Sequence, residues 1–564
     1  MNRYLIHIIV ILISSLFKPI YSSLLSHHDV ILISYTTMAN AGGQPESKQP
    51  PPKQDQLQPQ PVMEQLSGVQ YCVNSPPPWK DAVLLGFQHY IVTLGTTILI
   101  PTMTVSQMGG DNAEKARVIQ TLLFLSGLNT LMQTMFGTRL PSVVSSSHAF
   151  LIPVLSIIHA KRYDMFHDSH ERFAQTMRGI QGALLVSSAF QMILGFLGLW
   201  RNTVKYLSPL SVVPLITFTG LGLYHLAFPM LEKCVELGLA ELLLIYLPQC
   251  VTFKRPIFDR YAVLCSVSIT WACAGLLTWS GAYAKSTKTN TCRTDSSGII
   301  TGAPWIYVPY PFQWGTPTFD VGDIFMMIVA SFVSSIESTG SFLATARYAS
   351  ATPVPPSILS RGIGWLGLGN FIGSMCGTVT GVAASTENCG ALALTRVGSR
   401  LVIQISAAFM IFFSVFGKFG AIFASIPLSI TAALYCILVG CVSSVGLGHL
   451  QFCNLNSFRT KFILGLSFSL GLSLPQFFRE KWVVSNHAPV LTHSRWFDTL
   501  VLVVFMSHAS VAIMIAMILD CTLSLVNKEN GKDWWAKFDV YGKDVRTAEF
   551  YKLPWNLNKW FPSL

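Results

Sequence analysis

Charge is what this sequence has least of. Of its 564 residues, 38 are Lys or Arg and 27 are Asp or Glu, 12% in all, against about 25% in an ordinary soluble domain. With 51% hydrophobic residues and a mean hydropathy of +0.48, that shortage excludes a water-soluble globular protein. Enzyme signatures are missing as well: no phosphate loop, zinc-ligand spacing or nucleophile–base motif stands out, which argues against an intramembrane enzyme. The twelve cysteines contain no C-x-x-C pair and lie mostly inside apolar runs, so they read as small buried hydrophobes. The formal charge of +11 gathers into no basic patch with interleaved aromatics, and a nucleic-acid partner is not expected.

What is present are apolar runs of the length that crosses a lipid bilayer, about 20 residues apiece. They fall near 83–105, 118–137, 140–159, 179–199, 207–226, 231–250, 261–283, 322–343, 361–379, 382–397, 400–417, 426–449, 460–476 and 499–526, which makes fourteen. With the N-terminus inside, every even-to-odd connector carries cations, from Arg139 through Arg201, Lys205, Lys254, Arg255, Arg260, Arg347, Arg361, Arg396 and Arg400 to Arg459 and Lys461. The opposite connectors mix signs, as in Asp111, Glu114, Lys115 and Arg117. That asymmetry places both termini in the cytosol.

The ends read differently. Residues 1–37 hold an apolar run, Leu5 to Phe17, of signal-peptide length, so they are either a signal-like segment or an upstream extension with Met38 as the natural start. Residues 38–80 are rich in Gln and Pro, cannot build a core and read as a disordered cytosolic tail. Residues 527–564, with Trp534, Trp535, Trp555 and Trp560 among charges, read as a cytosolic C-terminal tail.

One stretch organises the rest: GTVTGVAASTENCGALALTRVGSR, Gly377 to Arg400. It sets Glu387 and Asn388 between apolar segments, where a charge at membrane depth costs about 2.5–3.5 kcal/mol. Small and β-branched residues precede the acid and a helix-like run follows, the pattern of a broken membrane helix lining a cavity. The other reading is a cytosolic loop with Glu387 solvated. Gly137-Thr138 before PSVVSSSHAF echoes Gly377-Thr378, at a shift that brings Ser147 and His148 onto Glu387 and Asn388. A second intramembrane acid, Glu337, lies one turn before Ser341 on the same helix face. Two acids in separate spans suggest one polar cavity; alternatively, each is a structural carboxylate tied to a Ser, Thr or Arg.

Glu387-Asn388-Cys389-Gly390, then Thr395-Arg396 after four apolar residues, resembles the signature of the nucleobase-ascorbate transporter family. The resemblance runs from Ser75 to the C-terminus, and wording such as SPPPWKDAVLLGFQHY is similar to the plant branch. It implies an all-α polytopic membrane fold of fourteen spans arranged as a seven-plus-seven inverted repeat, with spans 3 and 10 broken by short extended segments. It further implies a core domain from 81–206 and 322–417, a gate domain from 207–283 and 426–526, an extracellular loop at 284–321, and a homodimer. By the same resemblance Glu337, Glu387 and Asn388 hold the substrate, Ser147 and His148 occupy the place of a small residue and a stacking ring, and Ser341 stands where many relatives have Asp or His. Gln88 and His89 support the site, while Gly390, Thr395 and Arg396 complete the motif.

A nucleobase suits such residues. It is a flat ring with N–H donors beside C=O acceptors, so carboxylates accept from it while backbone N–H groups at a broken helix start donate. The expected function is a plasma-membrane importer of purines or uracil-like bases, a symporter of elevator type with H+ as coupling ion, Glu337 as proton carrier and no cofactor. Glu387 in the first motif position favours a base over an anion. The alternatives are a carrier of ascorbate or another small anion, and a non-transporting membrane receptor. His148 is open to two readings: a substitute for the stacking ring that can pair with Glu387 when protonated, or a packed structural residue.

Overall fold

The computed structural model describes residues 68–250, 260–283, 292–295, 302–423, 425–485, 489–490, 492, 494–523 and 551–559. The readings of residues 1–67, and of Trp534, Trp535 and Trp560, fall outside them. Helices dominate, as they must where no water is at hand to satisfy the backbone. In chain order the principal ones are α1 (Trp79–Thr104), α2 (Asn112–Met135), α3 (Leu151–Ile158), α4 (Ser169–Phe196), α5 (Pro209–Leu221), α6 (Val235–Cys250) and α7 (Ala262–Trp279). There follow α8 (Val321–Tyr348), α9 (Pro356–Met375), α10 (Thr386–Thr395), α11 (Arg400–Val415), α12 (Leu428–Gly448), α13 (Phe458–Ser485), α14 (Arg495–Met506) and α15 (His508–Thr522). Among the described residues, seven helical stretches are long and apolar enough to cross a membrane, or up to nine if each of two sharply bent pairs is one span. The other expected spans are shorter or less apolar helices.

Local chemistry starts these helices. Asp111 and Glu114 form a reciprocal capping box at α2, Asp320 caps α8, and Pro209 opens α5. Side by side, α9 lies along α4, α11 along α2 and α1, and α12 along α5, while α15 packs on α13 and α5. Small residues permit the closest crossings: a Cβ on Gly195 would stand 2.1 Å from the backbone N of Gly364, where α4 meets α9.

Two short strands interrupt this helical packing. β1 (Val144–Ser146) and β2 (Val382–Ala384) pair antiparallel, with Val144 opposite Ala384, Ser145 opposite Ala383 and Ser146 opposite Val382. Extended backbone at membrane depth survives only if its polar groups find partners inside the protein. Here Ser147 N donates to Gly381 O and Ser385 N to Val143 O, both at 2.9 Å. Side chains on neighbouring helices take the outward N–H groups: Val144 N donates to Thr130 Oγ1 (2.9 Å), Val382 N to Asn370 Oδ1 (2.6 Å) and Ala384 N to Ser338 Oγ (3.2 Å).

Several sequence expectations are corrected. The echo between the two breaks is out by two residues: Ser147 corresponds to Ser385 as helix cap, because β1 begins seven positions after Gly137 and β2 only five after Gly377. The run at 499–526 is not one continuous helix, since α14 and α15 meet at 80° around an extended Ser507. The cysteines are not all buried hydrophobes: Cys234 and Cys292 form a disulfide with Cα atoms 5.5 Å apart, and Cys265, Cys273 and Cys521 are exposed. Within the presumed N-terminal tail, Gln70 N donates to Arg396 O, and Gly398 N and Arg400 N donate to Tyr71 O and Val73 O. At the other end, Tyr551 is buried, with its hydroxyl on Thr352 O at 2.6 Å.

Candidate functional site

Three helix starts converge on one cavity of about 280 Å³, near the lower end of small-molecule pockets at about 300 Å³. Each start is capped by a serine in extended conformation. Ser147 Oγ accepts from Ala149 N (3.3 Å), Ser385 Oγ from Asn388 N (3.2 Å) and Ser507 Oγ from Ser510 N (3.3 Å), and all three serines line the cavity. The backbone N–H groups at a helix start that no cap engages favour a carbonyl or a negative charge.

Both acids reach the same space. Glu387 lies in the first turn of α10, 4% exposed, and takes a hydrogen bond from Ser385 Oγ on Oε2 at 2.8 Å. Glu337 projects from α8 and accepts from Ser507 Oγ on Oε1 at 2.8 Å. Ser385 and Ser507 therefore each cap a helix and hold a carboxylate. His148 lines the cavity too, its Nε2 without a hydrogen-bond partner, and no ion pair joins it to Glu387 among the described residues. Phe218, Leu226 and Val503 supply apolar wall.

The other expected site residues stand behind this wall. Asn388 does not line the cavity, because its amide is already engaged: Nδ2 donates to Thr93 Oγ1 (2.9 Å) and Ser385 Oγ (3.1 Å), while Oδ1 meets His89 Nδ1 at 2.9 Å. Ser341 is also set back, bonded to Thr386 Oγ1 at 3.2 Å. Gln88 ties α1 to the start of α7 through Arg260 O and Leu264 N, each at 3.3 Å. Gly390 lets α10 lie against α12, since a Cβ there would stand 2.2 Å from Leu438 O. Thr395 bonds back to Ala391 O (2.8 Å), and Arg396 ends α10 in a left-handed conformation, φ 56°, exposed and away from the cavity.

A family model described as a permease family matches residues 80–480. Nucleobase-ascorbate transporter 7 of Arabidopsis thaliana is 56% identical over 527 residues, covering 91% of this chain and 98% of that one. Nucleobase-ascorbate transporter LPE1 of Zea mays is 52% identical over 526 residues, covering 91% and 100%. The chain belongs to the nucleobase-ascorbate transporter family, in its plant branch. Among solved structures, the transmembrane domain of the cyanobacterial bicarbonate transporter BicA aligns over 78% of this chain and 96% of that one, at 11% identity and a TM-score of 0.39. This nucleobase-ascorbate transporter family member is thus a multi-pass membrane transporter and not an enzyme.

Sequence reasoning missed part of the wall. Ser507 and His508 sit inside an apolar run, where only the serine three residues before Ser510 hinted at a cap. Arg479 near the end of α13 and His225 beyond α5 also line the cavity. A third intramembrane acid was overlooked: Glu241 on α6, fully buried, accepts from Ser266 Oγ (2.7 Å) and Thr270 Oγ1 (2.6 Å) on α7. Its signal was the same as for the other two, an acid in an apolar run.

Proposed function

We propose that this transporter imports nucleobases across the plasma membrane by proton symport. One observation carries the reading: Glu337 and Glu387, on separate helices, face one small cavity whose walls are otherwise largely apolar and whose rim holds three serine-capped helix starts. The carboxylates suit paired ring N–H groups, and the helix starts suit the carbonyls between them. Glu337, half-buried and bonded only through Ser507 among the described side chains, is the proposed proton carrier, since an acid reachable from an aqueous cavity can load and release a proton. Movement of the unit carrying α8 and α10 against α12 would carry the site across, with Gly390 setting their spacing. The Cys234–Cys292 bridge supports an extracytoplasmic face for residues 284–321 and hence cytosolic termini, because disulfides persist in oxidising compartments.

A second reading, carriage of a small organic anion such as ascorbate, is favoured by Arg479 in the cavity wall. Uptake in a transporter-deficient yeast separates the two. Competition with xanthine, uric acid, adenine, guanine, uracil and ascorbate, at two external pH values, should rank one or more bases above ascorbate and show faster uptake at the lower pH. Ascorbate ranking first would replace the base reading, and sodium-dependent uptake indifferent to pH would remove the proton.

A further inference from the structure

We propose that Arg479 and His508 form a second, oxygen-binding pole of the same site, which grips acceptor oxygens of the base that Glu337 and Glu387 cannot hold. The inference rests on the nucleobase reading and adds to it the residues that choose among bases.

The two poles stand on different helices. The acids come from α8 and α10, whereas Arg479 lies on α13 and His508 opens α15, two helices packed against each other. Arg479 and His508 line the cavity, and Arg479 Nε and His508 Nε2 are buried without a hydrogen-bond partner among the described residues. His508 is only 3% exposed. Leaving a buried polar group unsatisfied costs about 1–3 kcal/mol, so two such nitrogens on residues that line one cavity need an explanation.

Packing fixes the imidazole in place. Its ring meets Tyr224 edge-on at 5.6 Å and lies near-parallel to Phe218 at 6.4 Å, while the Tyr224 hydroxyl bonds Gln476, one turn before Arg479 on α13. No acid pairs with Arg479 among the described residues. A plain alternative is that Arg479 snorkels toward the membrane surface near Trp482 and Val483. That would place its charge in water, but it does not account for a buried Nε beside a buried, unpartnered imidazole.

Chemistry then defines the ligand edge. Arg presents only donors, and a neutral imidazole can donate from one nitrogen. Arg479 offers donors alone, and His508 adds one when its Nε2 carries the proton; this side then calls for an acceptor: an exocyclic oxygen, neutral or ionised. A base with N–H groups on one edge and an oxygen on the other fills both poles, and an anion that carries no donor fills only one.

The test compares xanthine, which carries two exocyclic oxygens, with adenine, which carries none, as competitors of whichever base the wild type takes up. Replacement of Arg479 by Gln should lower the xanthine-to-adenine affinity ratio about tenfold or more, with the effect in KM and not in the maximal rate; Arg479→Lys should recover part of it. An unchanged ratio, or an equal loss for both bases, overturns the second pole. If the wild type transports and binds no base, the nucleobase reading itself falls and takes this proposal with it. Should Arg479→Gln fail to reach the membrane as a monodisperse protein, His508→Gln decides by the same ratio.

Discussion

Glu241, Glu337 and Glu387 all interrupt apolar helical runs, and two of them differ from the third. Glu241 has a hydroxyl on each oxygen, Ser266 on one and Thr270 on the other, and does not line the cavity that holds the other two. Glu387 and Glu337 each take a single side-chain hydrogen bond, from a serine that also caps a helix, and both face the same void. An acid at membrane depth is therefore not a site by itself. What sets the candidate binding carboxylates apart from Glu241 is acceptor capacity left over inside the protein, a point that hydropathy cannot report.

The largest effect should come from Glu387. Conversion to Gln removes the charge at a helix start and replaces one acceptor with a donor, against both the serine and the ligand. Loss of a charge-assisted hydrogen bond costs about 1.5–3 kcal/mol, so base affinity should fall about tenfold or more, with normal delivery to the membrane. Uptake kinetics and surface labelling together measure this, and near-wild-type KM would erase the distinction drawn between Glu387 and Glu241. For Glu337→Gln the expected loss is in accumulation against a gradient more than in binding. Counterflow exchange should survive where uphill uptake fails; equal loss of both would make Glu337 a ligand and not a proton carrier.

Glu241→Gln is the opposite case. Its affinity ratios should stay unchanged, because no wall of the cavity moves, while thermal stability in detergent drops by the equivalent of ~1–2 kcal/mol as one of two charge-assisted bonds weakens. A shift in KM with unchanged stability would reverse the assignment and make Glu241 part of the transport path.

Much of the site was legible in the sequence for a simple reason: an acid in an apolar run is costly, and Glu337 and Glu387 both announce themselves by that cost. So does the break at Gly377–Glu387, where small residues precede a helix start. The same logic could not sort Glu241 from the others, since its partners lie 25 and 29 residues downstream on another helix. Asn388 was expected at the substrate by resemblance; its amide bonds to His89 and Thr93, 299 and 295 residues away in sequence, partners that no local pattern reveals. Arg479 was hidden by the topology rule itself, under which a cation close to the end of a span is an ordinary interfacial anchor. The disulfide was unreadable from spacing, although Cys292 stands in a polar connector.

His148 offers the finest test of the comparison, because it shares the cavity with Glu387 and takes no hydrogen bond on Nε2. It begins the helical turn after Ser147, as Thr386 does after Ser385, so the two halves of the break present an imidazole on one side and a hydroxyl and carboxylate on the other. Replacing His148 by Tyr enlarges the ring and trades an imidazole nitrogen for a phenol, without touching either acid. If the imidazole stacks on the base, the wider ring should favour purines over pyrimidines by about 0.5–1.5 kcal/mol, a shift of a few-fold to about tenfold in the inhibitor ranking. Surface expression should be unchanged, since the side chain already borders empty space. An unaltered ranking of uracil against xanthine would leave His148 as wall alone, and the choice of base would then rest wholly on the carboxylates and the second pole.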